Sequence, residues 1–159
     1  MAHLEVNEKI IITEYKDAYK SQVINLVGAC LLDQEVIAKN DLPIDDDDLQ
    51  KIPEVYSGKS RFWIALDGDK VVGTVGILDR GENTAKLRRM FVLKEYRGTG
   101  LGQKLLDTAL AFAKEVGHAK ITLNTHTNMK RAHHFYEKNK FILIGERGSE
   151  CKIVYERGL

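Results

Sequence analysis

The chain has 159 residues, 43% of them apolar and 30% charged, with a formal net charge of +1. That length fits a single domain over 1–159 with a core of its own. The near-neutral balance leaves no global field to attract nucleic acid or an anionic membrane, and no run approaches the roughly 20 apolar residues of a spanning helix. Cys30 and Cys151 are too few for a disulfide framework and lack metal-ligand spacing. The opening MAHLEVNEKII has no cleavage-like signal. The expectation is plain thiols, no metal and a cytoplasmic setting.

Residues 10–15 (IIITEY) are β-branched and short, the pattern of an edge strand. Asp17 is placed to cap a helix running to about Leu32, with Val23, Leu26, Val27, Cys30 and Leu31 as its apolar stripe. The four carboxylates Asp45–Asp48 follow Pro43. Their mutual repulsion predicts a solvated turn at the start of a short helix over Leu49–Val55. The alternative is a negative rim that attracts a cationic amine.

Arg61–Asp67 and Lys70–Leu78 flank Gly68-Asp69 as a hairpin. Gly73 and Gly76 inside its second strand mark a bulge or a close backbone approach. After the turn at 81–83, the strand from Ala85 to Leu93 changes phase: Leu87 points one way by parity, Met90 and Val92 the other. One extra residue, a β-bulge, puts both sets on one core and splays the strand.

Next comes Arg97-Gly98-Thr99-Gly100-Leu101-Gly102. Three glycines in five residues allow positive φ and close approach. A helix starting there aims unpaired N–H groups at an anion, beside the charge of Arg97. The stretch is a phosphate cradle. Walker A fails in every register, and so does G-x-G-x-x-G, whose third glycine falls on Gln103 or Leu105. The helix carries Leu101, Leu105, Leu106, Ala109, Phe112 and Ala113 on one face and ends at Gly117. A strand over His118–Asn124, a helix over Met129–Lys138 and a hairpin of Phe141–Gly145 with Lys152–Glu156 complete the chain. The alternation argues for an α/β sandwich, a mixed central sheet with helices on both faces.

What the cradle does fit is the R-x-x-G-x-G/A motif of the GNAT superfamily of acyl-CoA N-acyltransferases. With the strand MFV before it and AHHFYEKNKF after it, the chain resembles that family from about Phe62 to Ile144. The resemblance implies acetyl-CoA as co-substrate, with pyrophosphate on Arg97–Gly102 and pantetheine along the splayed Met90, Phe91 and Val92. It implies direct transfer of the acetyl group to a primary amine. Ala132-His133-His134-Phe135-Tyr136-Glu137-Lys138 resembles the A-x-x-x-Y-E-K helix on which these enzymes often carry a general-acid tyrosine, here Tyr136. A phenol near pKa 10 is protonated at neutral pH and can return a proton to a thiolate near 8.5. The family's asparagine contact to CoA is shifted by one residue: Met129 occupies its position and Asn128 precedes it. The family's glycine before Phe141 is Lys140, so Asn139 is expected to close the helix in its place.

The general base is open. The strand before the loop offers Lys86, Arg88 and Arg89 but no carboxylate, which leaves His126 or ordered water. Arg88 or Arg89 is suited to clamp an acceptor carboxylate, against the opposite lean of Asp45–Asp48. His133 and His134 lack the i,i+4 spacing of ligands on one helix face. The rival readings are a protein or peptide N-acetyltransferase and a non-catalytic acyl-CoA sensor. A monomer or a homodimer is expected.

Overall fold

The structure, a computed structural model, describes residues 9–147 and 152–159. Its elements are β1 (Ile10–Glu14), α1 (Lys20–Asp33), α2 (Asp47–Gln50), α3 (Ile52–Val55), β2 (Arg61–Asp67), β3 (Lys70–Asp79), β4 (Thr84–Val92), α4 (Leu101–Glu115), β5 (Lys120–His126), α5 (Lys130–Lys138), β6 (Ile142–Arg147) and β7 (Lys152–Gly158). The strands form one mixed sheet in the order β1-β2-β3-β4-β5-β7-β6. Among the described residues only β4 and β5 pair in parallel.

Each sheet face has its own core. On one, Leu101, Leu105, Leu106, Ala109 and Ala113 of α4 are at most 1% exposed, because their spacing keeps them on one helical stripe. They pack with Tyr136 of α5 and with Ala85 and Leu87 of β4. On the other face, Val23 and Val27 of α1 meet Leu49 and Ile52 over Phe62, Ile64 and Val71. Gly117, at φ +98°, turns the chain out of α4 while His118 N–H donates back to Ala113 O at 3.0 Å.

The bulge in β4 lies where the phase change requires it. Arg88 pairs with Gly76 and Phe91 with Thr74, so Arg89 and Met90 together oppose Val75. Arg89 takes φ +54°, and its carbonyl accepts from Thr74 Oγ1 at 2.7 Å. Leu87, Met90 and Val92 consequently pack on one core while Phe91 joins the other. The close backbone approach expected of the β3 glycines is also present: a Cβ on Gly73 would stand 3.3 Å from Phe91 O, and 2.8 Å from the side-chain Leu105 Cδ1.

Three local expectations give way. Asp17 caps nothing; it opens a 3-10 turn ahead of α1 and accepts from Tyr15 Oη at 3.0 Å. The single helix over Leu49–Val55 is two short ones broken at Lys51, the second starting with Pro53 in its first turn. Asn139 does not take the left-handed turn after α5. Its φ is −93°, and Lys140 carries φ +72°. A side chain with a Cβ is strained there, so Lys140→Gly is expected to stabilise the fold by about 1 kcal/mol. Thermal or urea unfolding measures it directly.

Candidate active site

The parallel pairing of β4 with β5 covers only Thr84–Lys86 against Lys120–Thr122. Beyond it the two strands have no common register, and the bulge turns Met90–Val92 away from β5. A backbone edge opened this way keeps N–H and C=O groups for a ligand. Two chambers occupy the opening. One, of about 470 Å³, runs from Arg97, Gly98, Gly100, Gly102 and Gln103 to Met90–Val92 and Tyr136. The other, of about 270 Å³, lies over Lys86, Arg88 and Arg89 on one side and Leu123, Asn124 and Thr125 on the other. Gln34, Met90, Phe91, Ala132 and Tyr136 line both.

The cradle has the form its composition predicts. Gly98 sits at φ +77° and Gly100, the residue before α4, at φ +91°. At both, an added Cβ would meet no atom of the chain, so the space above them is open. Gly100 brings no capping side chain to α4, Thr99 Oγ1 accepts only the Leu101 N–H at 3.4 Å, and among the described residues the amides of Gly102 and Gln103 keep no partner. Those N–H groups and the positive end of a 15-residue helix suit a diphosphate. Arg97 lines the chamber under restraint, its Nε donating to Val92 O at 3.2 Å and Nη1 to Asp33 Oδ2 at 2.8 Å. Thr99 and Leu101 act within the loop: the Thr99 hydroxyl donates to Tyr96 O at 2.6 Å, and the Leu101 side chain is in the core.

Tyr136 stands where the chambers meet, on the wall made by α5. Its ring is 5.5 Å from those of Phe135 and Phe141. Among the described residues its hydroxyl has no hydrogen-bond partner, and burial pushes the phenol above the ordinary tyrosine range. It stays protonated at any physiological pH. Behind the strand, Cys30 donates to Val92 O at 3.6 Å, and burial pushes its thiol up to about 11, so it is inert. Cys151 lies outside the described residues.

The acidic run and the arginines, read separately in the sequence, are partners. Arg89 Nη2 lies 2.6 Å from Asp48 Oδ1 and 2.7 Å from Asp46 Oδ2, and its Nε donates to Asp48 Oδ2 at 3.0 Å. Tyr56 Oη adds a bond to Asp48 at 2.8 Å. The solvated-turn expectation therefore fails at Asp48, whose side chain is 11% exposed. Burial alone would raise its pKa, but the hydrogen bonds and charge of Arg89 outweigh it and hold the carboxyl below its usual range. A rim of free negative charge is excluded for Asp46 and Asp48, and Arg89 is committed to them. Arg88 has only a loose approach to Asp48 at 4.0 Å. The bulge brings both arginines to the same chamber despite their opposite parity.

Asp48→Ala leaves the buried Arg89 with Asp46 alone and is expected to cost about 3 kcal/mol. Because the folded-state pKa of Asp48 is lowered, its contribution is complete above the ordinary carboxylate value of about 3.9 and disappears as pH falls through the folded value. The stability gap between the wild type and Asp48→Ala should therefore shrink on acidification below that point, which urea melts across pH 2–7 will measure.

Two other sequence candidates lie outside both chambers. Asn128 Nδ2 donates to Glu35 O at 3.1 Å, tying the turn before α5 to the end of α1. His126 Nδ1 accepts from Asn128 N–H at 3.1 Å, and its carbonyl takes His133 Nε2 at 2.9 Å. Sequence reading passed over Gln34, which follows α1 and lines both chambers. It also passed over the reciprocal pair of Gln103 and Asn139, joined at 2.8 and 3.1 Å, which fastens the start of α4 to the end of α5. Neither carries a sequence signal, since single amides have no periodicity. Among the described residues no cluster of His, Cys, Asp or Glu is arranged to hold a metal, and no helix is long and apolar enough to cross a membrane.

This chain is 31% identical over 106 residues to N-acetyltransferase 8B of Homo sapiens, covering 62% of the chain and 47% of that protein. It is 35% identical over 88 residues to the N-acetylaspartate synthetase of Danio rerio, covering 55% and 31%. The chain thus spans about half or less of the length of these curated relatives. In structure it resembles an acetyltransferase of the GNAT family from Staphylococcus aureus Mu50, with a TM-score of 0.81, 30% identity, and coverage of 94% of this chain and 98% of that one. The family model described as Acetyltransferase (GNAT) family matches residues 25–141. That span runs from α1 through the splayed strand, the glycine cradle and the tyrosine helix, and on it the chain belongs to the GNAT acetyltransferase family.

Proposed function

We propose that this chain is a cytoplasmic N-acetyltransferase that moves the acetyl group of acetyl-CoA to the primary amine of a small molecule bearing a carboxylate. The observation that carries the acceptor class is the wall of the smaller chamber. Lys86, Arg88 and Arg89 line it and, among the described residues, no acidic side chain does, because Asp46 and Asp48 are turned onto Arg89. A polyamine would meet positive charge there. Arg88, whose nearest carboxylate is 4.0 Å away, keeps a fork available for a planar anion. The name of the Danio rerio relative, an N-acetylaspartate synthetase, supports the same class.

The co-substrate fits the larger chamber on the geometry of the loop. Gly98 and Gly100 open the space, the first-turn amides of α4 and Arg97 meet the diphosphate, and the freed edge of Met90–Val92 takes the pantetheine amides. Asn128 is assigned no part in this. Tyr136 protonates the departing sulfur. Among the described residues no carboxylate or imidazole lines the acceptor chamber, so the proton shed by the amine leaves through water.

The test is thiol release from acetyl-CoA across a panel of amino acids, their amides, polyamines and short peptides. Amino acids are expected to turn over, with amides and polyamines poor. Arg88→Ala should raise the acceptor KM roughly 10- to 100-fold, the value of one charge-assisted pair, and leave the KM for acetyl-CoA unchanged. Equal turnover of polyamines would overturn the acceptor class.

A further inference from the structure

The point where the two chambers meet is bounded by five residues, of which three, Met90, Phe91 and Ala132, have no strong hydrogen-bonding group on the side chain. The two that do are Tyr136 and Gln34. They come from different walls, Tyr136 from α5 and Gln34 from the residue that follows α1. Among the described residues the Gln34 side-chain amide has no partner.

Its main chain, by contrast, is firmly held. Gln34 N–H donates to Cys30 O at 3.1 Å. Glu35 takes φ +59°, and Val36 N–H returns to Leu31 O at 2.9 Å, closing the helix end. Asn128, in the turn before α5, bonds Glu35 O at 3.1 Å. An unpartnered amide on a residue that lines both chambers and whose main chain is fixed from both sides is available to a ligand at the junction.

We propose that Gln34 orients the acceptor amine, its Oε1 accepting one N–H so that the nitrogen lone pair faces the thioester carbon. This rests on the acetyltransferase reading above and adds a residue to it. The other walls have other tasks. The splayed strand offers main-chain donors and α5 offers the phenol, so the end of α1 is the wall left to hold the nitrogen. In the step itself the nitrogen–carbon bond forms and the carbon–sulfur bond breaks. Tyr136 gives its proton to the thiolate, and the proton lost by the nitrogen returns through water to the tyrosinate. Gln34 takes no proton, since a carboxamide is not basic at this pH. Its contribution is orientation.

The test compares Gln34→Ala and Gln34→Glu with the wild type on the best acceptor of the panel. Transfer to the amine and slow hydrolysis of acetyl-CoA by water are followed separately. Gln34→Ala is expected to lower kcat for transfer roughly 10- to 100-fold, with the KM for acetyl-CoA, the hydrolysis rate and the melting temperature unchanged. Gln34→Glu keeps an oxygen at the same reach and should retain more transfer than the alanine variant. Wild-type transfer rates in Gln34→Ala would overturn the proposal, as would equal losses in transfer and hydrolysis. A glutamate variant slower than alanine would do so too, because it would point to a lost N–H donor in place of a lost acceptor. If the wild type transfers to no amine, the acetyltransferase reading falls first and takes this inference with it.

Discussion

Gly100→Glu is expected to weaken coenzyme A binding at least about 100-fold, roughly 3 kcal/mol. Two effects add. The residue sits at φ +91° immediately before α4, where any Cβ is strained by about 1–2 kcal/mol. The new carboxylate also enters the open space above the cradle and meets the diphosphate where the helix end would otherwise attract it. Calorimetry with free coenzyme A measures the loss. Gly100→Ala separates the two effects, since a methyl group meets no atom of the chain and only the backbone strain remains. The alanine variant should bind within about tenfold of the wild type. Undiminished binding by the glutamate variant would remove the cradle assignment.

Tyr136→Phe is expected to lower kcat about 100-fold while leaving the KM for acetyl-CoA unchanged, the signature of a group needed only in the transition state. Stability should hardly change. The ring packing on Phe135, Phe141 and Tyr155 is retained, and the hydroxyl has no partner among the described residues whose loss would cost anything. The pH profile gives a second readout. Burial raises the phenol above its ordinary value near 10, so the acid form persists through pH 10 and Tyr136 should contribute no basic limb below it. A basic limb near pH 8 that survives in Tyr136→Phe would belong to another group. Full turnover by the phenylalanine variant would end the general-acid role.

Much of this was legible before any coordinates. Strand and helix patterns placed nearly every element, because apolar periodicity reports which face each segment buries. The phase change between Leu87 and Met90 located the bulge to within a residue, since a strand cannot put both on one core without an extra residue. The glycine loop was recognisable because positive φ of the kind found at Gly98 and Gly100 favours glycine, and three glycines crowd into five residues there.

Side-chain pairing across distant segments was not legible. Asp48 and Arg89 are 41 residues apart, and nothing local distinguishes a carboxylate that will be buried against an arginine from one that will be hydrated. The same holds for Asn128, which stands one residue before the family's asparagine position and whose side chain reaches Glu35 O, 93 residues away. Composition, periodicity and the glycine loop determined by themselves the fold class, the bulge and the open turn before α4, because each is a property of a continuous stretch of chain. Which charges cancel, which arginine stays available and which amide faces the junction were decided only by the tertiary structure. Those are properties of side chains that meet after the backbone has folded, and their free energies depend on partners that no local window contains.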